Sequence, residues 1–127
     1  MSNFVIDLIN MKKVYHLSSC STCHRILKEI EANDFVLQDI KTEAISESQL
    51  EEMYTFTSSY EALFSKRAMK YKSMGLKDKN LLEEDFKSLI LEEYTFLKRP
   101  VFIINDEVYV GNSKKVFEAV KNTLANE

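Results

Sequence analysis

The stretch Leu17-Ser18-Ser19-Cys20-Ser21-Thr22-Cys23-His24-Arg25 constrains this chain more than any other part of it. It holds both cysteines and one of the two histidines. Upstream, Lys13-Val14-Tyr15-His16-Leu17 is short and rich in β-branched and aromatic side chains, which predicts a buried strand. Downstream, Ile26, Leu27 and Ile30 follow Thr22 and Cys23 at helical spacing, and Asn33-Asp34 predicts the end of that helix. A strand that hands a Cys-x-x-Cys to the first turn of a helix is a redox-active arrangement. The cause is electrostatic. Unpaired backbone N–H groups and the positive end of the helix dipole favour the thiolate at Cys20, and the thiolate is the nucleophile. Cys23, one turn on, is placed to resolve a mixed disulfide formed at Cys20.

The same residues admit other readings. Free cysteines also pack as small hydrophobes, although the surrounding Ser and Thr argue against a purely buried pair. Cys20-Ser21-Thr22-Cys23-His24 has the spacing of covalent c-type haem attachment. That chemistry needs export, and the opening residues MSNFVIDLINMKK show no secretory-signal pattern. His16, Cys20, Cys23 and His24 together suggest zinc. A strand residue and two adjacent helical ones converge poorly on a tetrahedral ion, so no metal is expected.

Composition narrows the class further. A chain of 127 residues with 45% hydrophobic and 29% charged residues has the size and balance of one soluble domain, read as 1–127. Its net charge of -3 gives no reason to expect direct nucleic-acid binding. Two cysteines three positions apart cannot staple a fold, and their number fits a functional pair in a reducing compartment. No apolar run approaches the roughly 20 residues of a membrane span. The expected location is the cytoplasm, with no membrane partner.

Along the rest of the chain, residues 1–10 read as an N-terminal extension. Phe35-Val36-Leu37-Gln38-Asp39-Ile40 predicts a second strand, completing a βαβ unit. A helical insert over residues 46–95 follows. Ser46 and Gln49 form a capping-box signature, Gly75 is a helix stop, and Asn80 is a cap for a helix over 81–93. Tyr54, Phe56, Tyr60 and Phe64 of the insert are read mainly as core, with a partner-facing surface as the alternative. Val101-Phe102-Ile103-Ile104 and Glu107-Val108-Tyr109-Val110, separated by Asn105-Asp106, predict an antiparallel hairpin. Ser113 then caps a closing helix through Val116, Phe117, Val120 and Leu124. The expected class is α/β: a four-stranded mixed sheet flanked by helices, with the insert between βαβ and ββα halves.

Cys-x-x-Cys at a strand end, a helical insert, Leu97-Lys98-Arg99-Pro100 before an apolar hairpin, and Val110-Gly111 together resemble the arsenate reductase/Spx family of thioredoxin-like proteins. The resemblance spans about residues 12–125. It implies a thioredoxin-like fold, Cys20 as catalytic cysteine, and Pro100 as the cis-proline facing it. It implies that Arg99 helps hold an oxyanion, with Arg25 and Lys66 or Arg67 assisting, and that Cys23 resolves the covalent intermediate. It implies no bound cofactor, glutathione or another thiol as co-substrate, and a reductant such as glutaredoxin or thioredoxin. The departures are informative. Cys23 stands where such reductases carry Ser, and His24 where they carry Arg. Ser65 takes the place nearest a second arginine and Gly111 that of a third. Cys-x-x-Cys with that glycine is more similar to the Spx branch, whose members bind RNA polymerase and sense disulfide stress. The expected function is an arsenate reductase-related thiol–disulfide oxidoreductase using Cys20 and Cys23, with an Spx-like regulator as the alternative.

Overall fold

Strand β1 (Lys12–His16) organises the sheet, because both of its edges are paired. In the computed structural model, which describes residues 12–126, it lies parallel to β2 (Val36–Asp39) and antiparallel to β3 (Val101–Ile104). Strand β4 (Glu107–Val110) continues the sheet antiparallel to β3, giving the order β2-β1-β3-β4. The sheet is therefore mixed and four-stranded, as expected from the sequence. The extension at residues 1–10 lies outside the described residues.

The chain divides into two compact units, one formed by the residues up to Glu43 with Arg99–Glu127 and the other by Ala44–Lys98. The first carries the sheet. Its helices are α1 (Ser21–Glu29) and α5 (Lys114–Ala125). Side-chain alternation sends Val14 of β1 and Phe102 and Ile104 of β3 to one face, where they meet Ile26 of α1, Phe35 and Val120 of α5. The Phe35 and Phe102 rings meet edge to face, with centroids 6.2 Å apart. All four β3 residues are buried, which explains why their sequence is an unbroken apolar run rather than an alternating one. The hairpin turns through Asn105-Asp106, with Asn105 in the left-handed region at φ 58°, a conformation asparagine tolerates.

The second unit contains three α-helices: α2 (Glu47–Thr57), α3 (Met69–Ser73) and α4 (Glu83–Glu92), linked by short 3₁₀ turns. The capping box predicted at Ser46 is present: Gln49 N–H donates to Ser46 Oγ at 3.1 Å, and Ser46 N–H donates to Gln49 Oε1 at 3.0 Å. Gly75 follows α3 at φ 67° and supplies the predicted stop. Asn80 does not cap the next helix. The helix opens two residues later than that cap would allow, and the Asp85 carboxylate reaches back to accept Leu82 N–H at 2.8 Å. Acidic residues at 83, 84 and 85 fill its first turn and complement the helix dipole.

Phe64 is the centre of this unit's core, stacked on Phe96 at 4.9 Å and meeting Phe86 and Tyr71 edge on. An antiparallel bridge between Phe64 and Leu97 fixes the backbone around it, through Ser65 N–H to Phe96 C=O at 2.7 Å and Lys98 N–H to Leu63 C=O at 2.8 Å. The aromatic set divides. Phe64 is core, whereas Tyr54 and Phe56 are exposed and half-buried Tyr60 stacks on Tyr54 at 4.4 Å. Among the described residues, no helix is long and apolar enough to cross a membrane.

Candidate functional site

The chain leaves β1 at His16 and turns sharply, with Cys20 N–H donating to Leu17 C=O at 3.0 Å. Cys20 is the N-cap of α1 in an extended conformation (φ -97°, ψ 112°), and its C=O accepts the first helical bond, from His24 N–H at 3.2 Å. This places the partly exposed Cys20 sulfur at the helix start and carries Cys23, fully buried, one turn inward. Both are free thiols.

Their environments act in opposite directions. Burial works against ionisation of Cys20, but the Cys23 N–H and thiol, the Thr22 N–H and the Arg99 charge outweigh it and hold Cys20 below the ordinary thiol range. No side-chain cap bond at Cys20 has full hydrogen-bond geometry, so the amides act as a field on the sulfur more than as a capping bond. Cys23 is pushed up to about 11, chiefly by burial; the Leu17 backbone opposes this, the Cys20 sulfur adds to it, and the Arg99 charge opposes it least. Of the two, Cys20 is therefore the more readily ionised.

Arg99 acts on the cysteines from the far side of the sequence, its charge bearing on both sulfurs. The Tyr15–Val101 register of β1 against β3 sets the residues just before β3 beside the end of β1. The Arg99–Pro100 peptide bond is cis, and Pro100 is buried. Pro100 C=O accepts Gly111 N–H at 2.9 Å, which extends the β3–β4 pairing by one step. Gly111 sits at φ 95°, where a side chain is strained.

Arg25, Lys66 and Arg67 complete the predicted anion-binding set. Arg25 is exposed on α1, 3.7 Å from Glu29, and lines a small open pocket of about 160 Å³ with Ile26, Asn112, Lys114 and Phe117. Lys66 and Arg67 are exposed residues of the second unit, where Lys66 pairs with Glu61 at 2.7 Å. Within the first unit, Cys20, Cys23 and the Arg99 charge act on one another. Among the described residues, no group of three or more His, Cys, Asp or Glu side chains is arranged to hold a metal.

Sequence reasoning missed Asp39. At the end of β2 its Oδ1 accepts Ser18 N–H and Lys41 N–H, each at 3.2 Å; hydrogen bonding from the Ser18 side chain first, then from these two amides, holds the carboxyl below its usual range. His16 stands opposite Asp39 in the β1–β2 register. Burial lowers its pKa, partly offset by Asp39 and reinforced by His24. His24 donates from Nε2 to the Ser18 carbonyl. Only the parallel pairing of β1 with β2 brings Asp39 to this loop, and no local motif announces it.

A mixed sheet with a Cys-x-x-Cys at a helix start and a cis-proline leading into β3 defines a thioredoxin-like protein. The model of the ArsC family matches residues 15–120, and the chain belongs to that family. Solved structures agree on the fold. An ArsC family related protein from Bacteroides fragilis superposes with a TM-score of 0.72 at 20% identity, covering 88% of this chain and 98% of its own. The arsenate reductase from Vibrio cholerae gives 0.67 at 23% identity, covering 86% and 98%. An arsenate reductase (ArsC) related protein from Brucella melitensis gives 0.66 at 19%, covering 86% and 92%. Comparison with curated protein sequences returns no significant match.

Proposed function

We propose that this protein is a thiol–disulfide oxidoreductase related to the arsenate reductases, with Cys20 as nucleophile and Cys23 as resolving thiol. The observation that carries this reading is the placement of the pair, Cys20 partly exposed at the start of α1 and Cys23 buried one turn inward, with Cys20 shifted below and Cys23 above the ordinary value. The arsenate reductase from Vibrio cholerae, similar in fold, supports arsenate as the oxyanion to test first. Cys20 thiolate attacks arsenic and displaces hydroxide, with the Arg99 charge offsetting the anion's. Bond formation removes the negative charge from Cys20 sulfur, and with it two of the causes that hold Cys23 protonated. Cys23 thiolate then attacks Cys20 sulfur. The S–As bond breaks, its electron pair stays on arsenic, and arsenite leaves while a Cys20–Cys23 disulfide forms. Two equivalents of an external thiol, glutathione with glutaredoxin or a thioredoxin, return the dithiol.

The test is consumption of reductant when the protein is given arsenate, glutathione and glutaredoxin. Turnover above a Cys20→Ser control is expected, and turnover equal to that control refutes arsenate reduction. A second reading keeps the same pair as a switch on partner binding, in the manner of an Spx-like regulator that contacts RNA polymerase. Glycine at 111 in place of a third arginine, together with Cys23, favours it. Capture of RNA polymerase that changes between reduced and oxidised protein is its signature, and capture indifferent to oxidation refutes it.

A further inference from the structure

The Ser18 peptide unit is gripped at both ends. Its N–H donates to Asp39 Oδ1 at 3.2 Å, from the end of β2, and its C=O accepts from His24 Nε2 on the first turn of α1. Ser18 lies inside the turn that Cys20 N–H closes on Leu17 C=O. Both clamping residues thus act on the two-residue bend that delivers the nucleophile to its helix. The bend has no apolar anchor of its own: Ser18 and Ser19 are exposed and are followed directly by the cap residue. Asp39 also faces His16 across the β1–β2 register and acts on it electrostatically. Among the described residues, the ion pairs found involve neither Asp39 nor His24. Asp39 is itself anchored, since the same oxygen accepts Lys41 N–H and its C=O accepts from Thr42 Oγ1 at 3.4 Å.

From this geometry, and resting on the thiol-redox reading above, we propose that Asp39 and His24 are positioning residues that fix the Ser18 peptide and so aim the Cys20 sulfur at the amides of Thr22 and Cys23. Neither touches the reacting atoms. His24 works as a hydrogen-bond donor, a role that neutral and protonated imidazole both fill. Asp39 works as an acceptor, and its negative charge is incidental. Charge and position make opposite predictions at Asp39. Removing a negative charge near a thiolate favours ionisation, whereas loosening the bend takes the sulfur off its amides and disfavours it.

The experiment is the alkylation rate of Cys20 by iodoacetamide in the full-length chain across neutral pH, with the modified cysteine identified by mass spectrometry. His24→Ala and Asp39→Ala are each expected to slow Cys20 alkylation at pH 7 about three- to tenfold, the scale of one lost hydrogen bond. His24→Gln restores a donor, and Asp39→Asn an acceptor. Both are expected within about twofold of wild type on the same scale. Because His24 is exposed, its variants are expected to fold, which circular dichroism checks. Alanine variants that react at the wild-type rate overturn the proposal, as does an Asp39→Ala chain that reacts faster, or a His24→Gln chain as slow as His24→Ala. A wild-type Cys20 with the pH profile of an ordinary thiol overturns the oxidoreductase reading and this proposal together. A shifted wild-type profile that His24→Ala and Asp39→Ala leave unmoved overturns the proposal alone.

Discussion

The buried Cys23 thiol bears on the Cys20 sulfur, and that one contact lowers the pKa of Cys20 while raising that of Cys23. Under the proposed chemistry this difference divides the roles of the pair: Cys20 is to attack, and Cys23 to wait until bond formation has made the Cys20 sulfur neutral. Cys23→Ser is therefore expected to leave the first attack nearly intact. Treated with glutathione disulfide, it accumulates a Cys20–glutathione adduct, whereas the wild type proceeds to the intramolecular disulfide. Intact mass spectrometry under non-reducing conditions distinguishes these species, and an identical product from both proteins contradicts the resolving role.

Arg99 is the cation whose charge lowers the pKa of both sulfurs, although it is the smallest of the effects named for each. Arg99→Leu is expected to slow Cys20 alkylation by only about two- to threefold, the scale of a solvent-screened charge pair. Arg99→Lys keeps the charge and should recover most of that rate. It should not recover protection by a competing oxyanion, because an ammonium lacks the planar fork that holds such ions bidentately. Protection by arsenate or phosphate against iodoacetamide, measured across the three proteins, checks both statements.

The His16–Asp39 pair makes stability depend on acid. His16 has a lowered pKa in the folded state, chiefly through burial, so the unfolded chain binds its proton first. Stability falls once the pH drops below the ordinary histidine value of about 6.5. Asp39 is also lowered. Its contribution is complete above about pH 3.9 and is lost as the pH falls through its folded value. Both effects have the same sign. Urea midpoints are expected to decline from pH 7 to pH 4.5 and more steeply below, and His16→Gln should flatten the upper part. A midpoint that rises on acidification contradicts the assignment.

Phe102 lies in the centre of the sheet, 1% exposed and packed against Phe35. Phe102→Ala is expected to cost about 3–5 kcal/mol, because transfer and cavity losses add. Ser46→Ala removes only the acceptor of a helix cap and should cost about 1 kcal/mol. Chemical denaturation of both variants checks the contrast, and comparable losses contradict the placement of Phe102 in the core.

Much of this arrangement is legible in the sequence, for identifiable reasons. The all-apolar run of β3, the two-residue Asn105-Asp106 loop and the Ser46–Gln49 box are local signals, and each appears in the structure. Limits shift where side-chain pattern and backbone pairing part company. Leu17 is apolar and buried but accepts from Cys20 in a turn instead of joining β1. Phe35 and Ile40 flank β2 without belonging to it: Phe35 N–H closes the preceding turn on Ala32 C=O at 3.3 Å, and Ile40 N–H makes the last bond to β1, with His16 C=O at 2.9 Å. Asn80 is a sound cap by residue type, yet Asp85 serves the helix start from inside its first turn. At the site, the cysteines and Arg99-Pro100 carry recognisable motifs. Asp39 and the Ser18 peptide do not, since their meeting is created by strand register over 21 residues.

The most direct measurement is the pH dependence of wild-type alkylation by limiting iodoacetamide, read cysteine by cysteine. Modification is expected at Cys20 alone through neutral pH, with a midpoint below the ordinary thiol value of about 8.5, and at Cys23 only as the pH approaches about 11. Equal modification of the two cysteines, or a Cys20 midpoint at or above that ordinary value, contradicts the thiolate–thiol division on which the proposed chemistry rests.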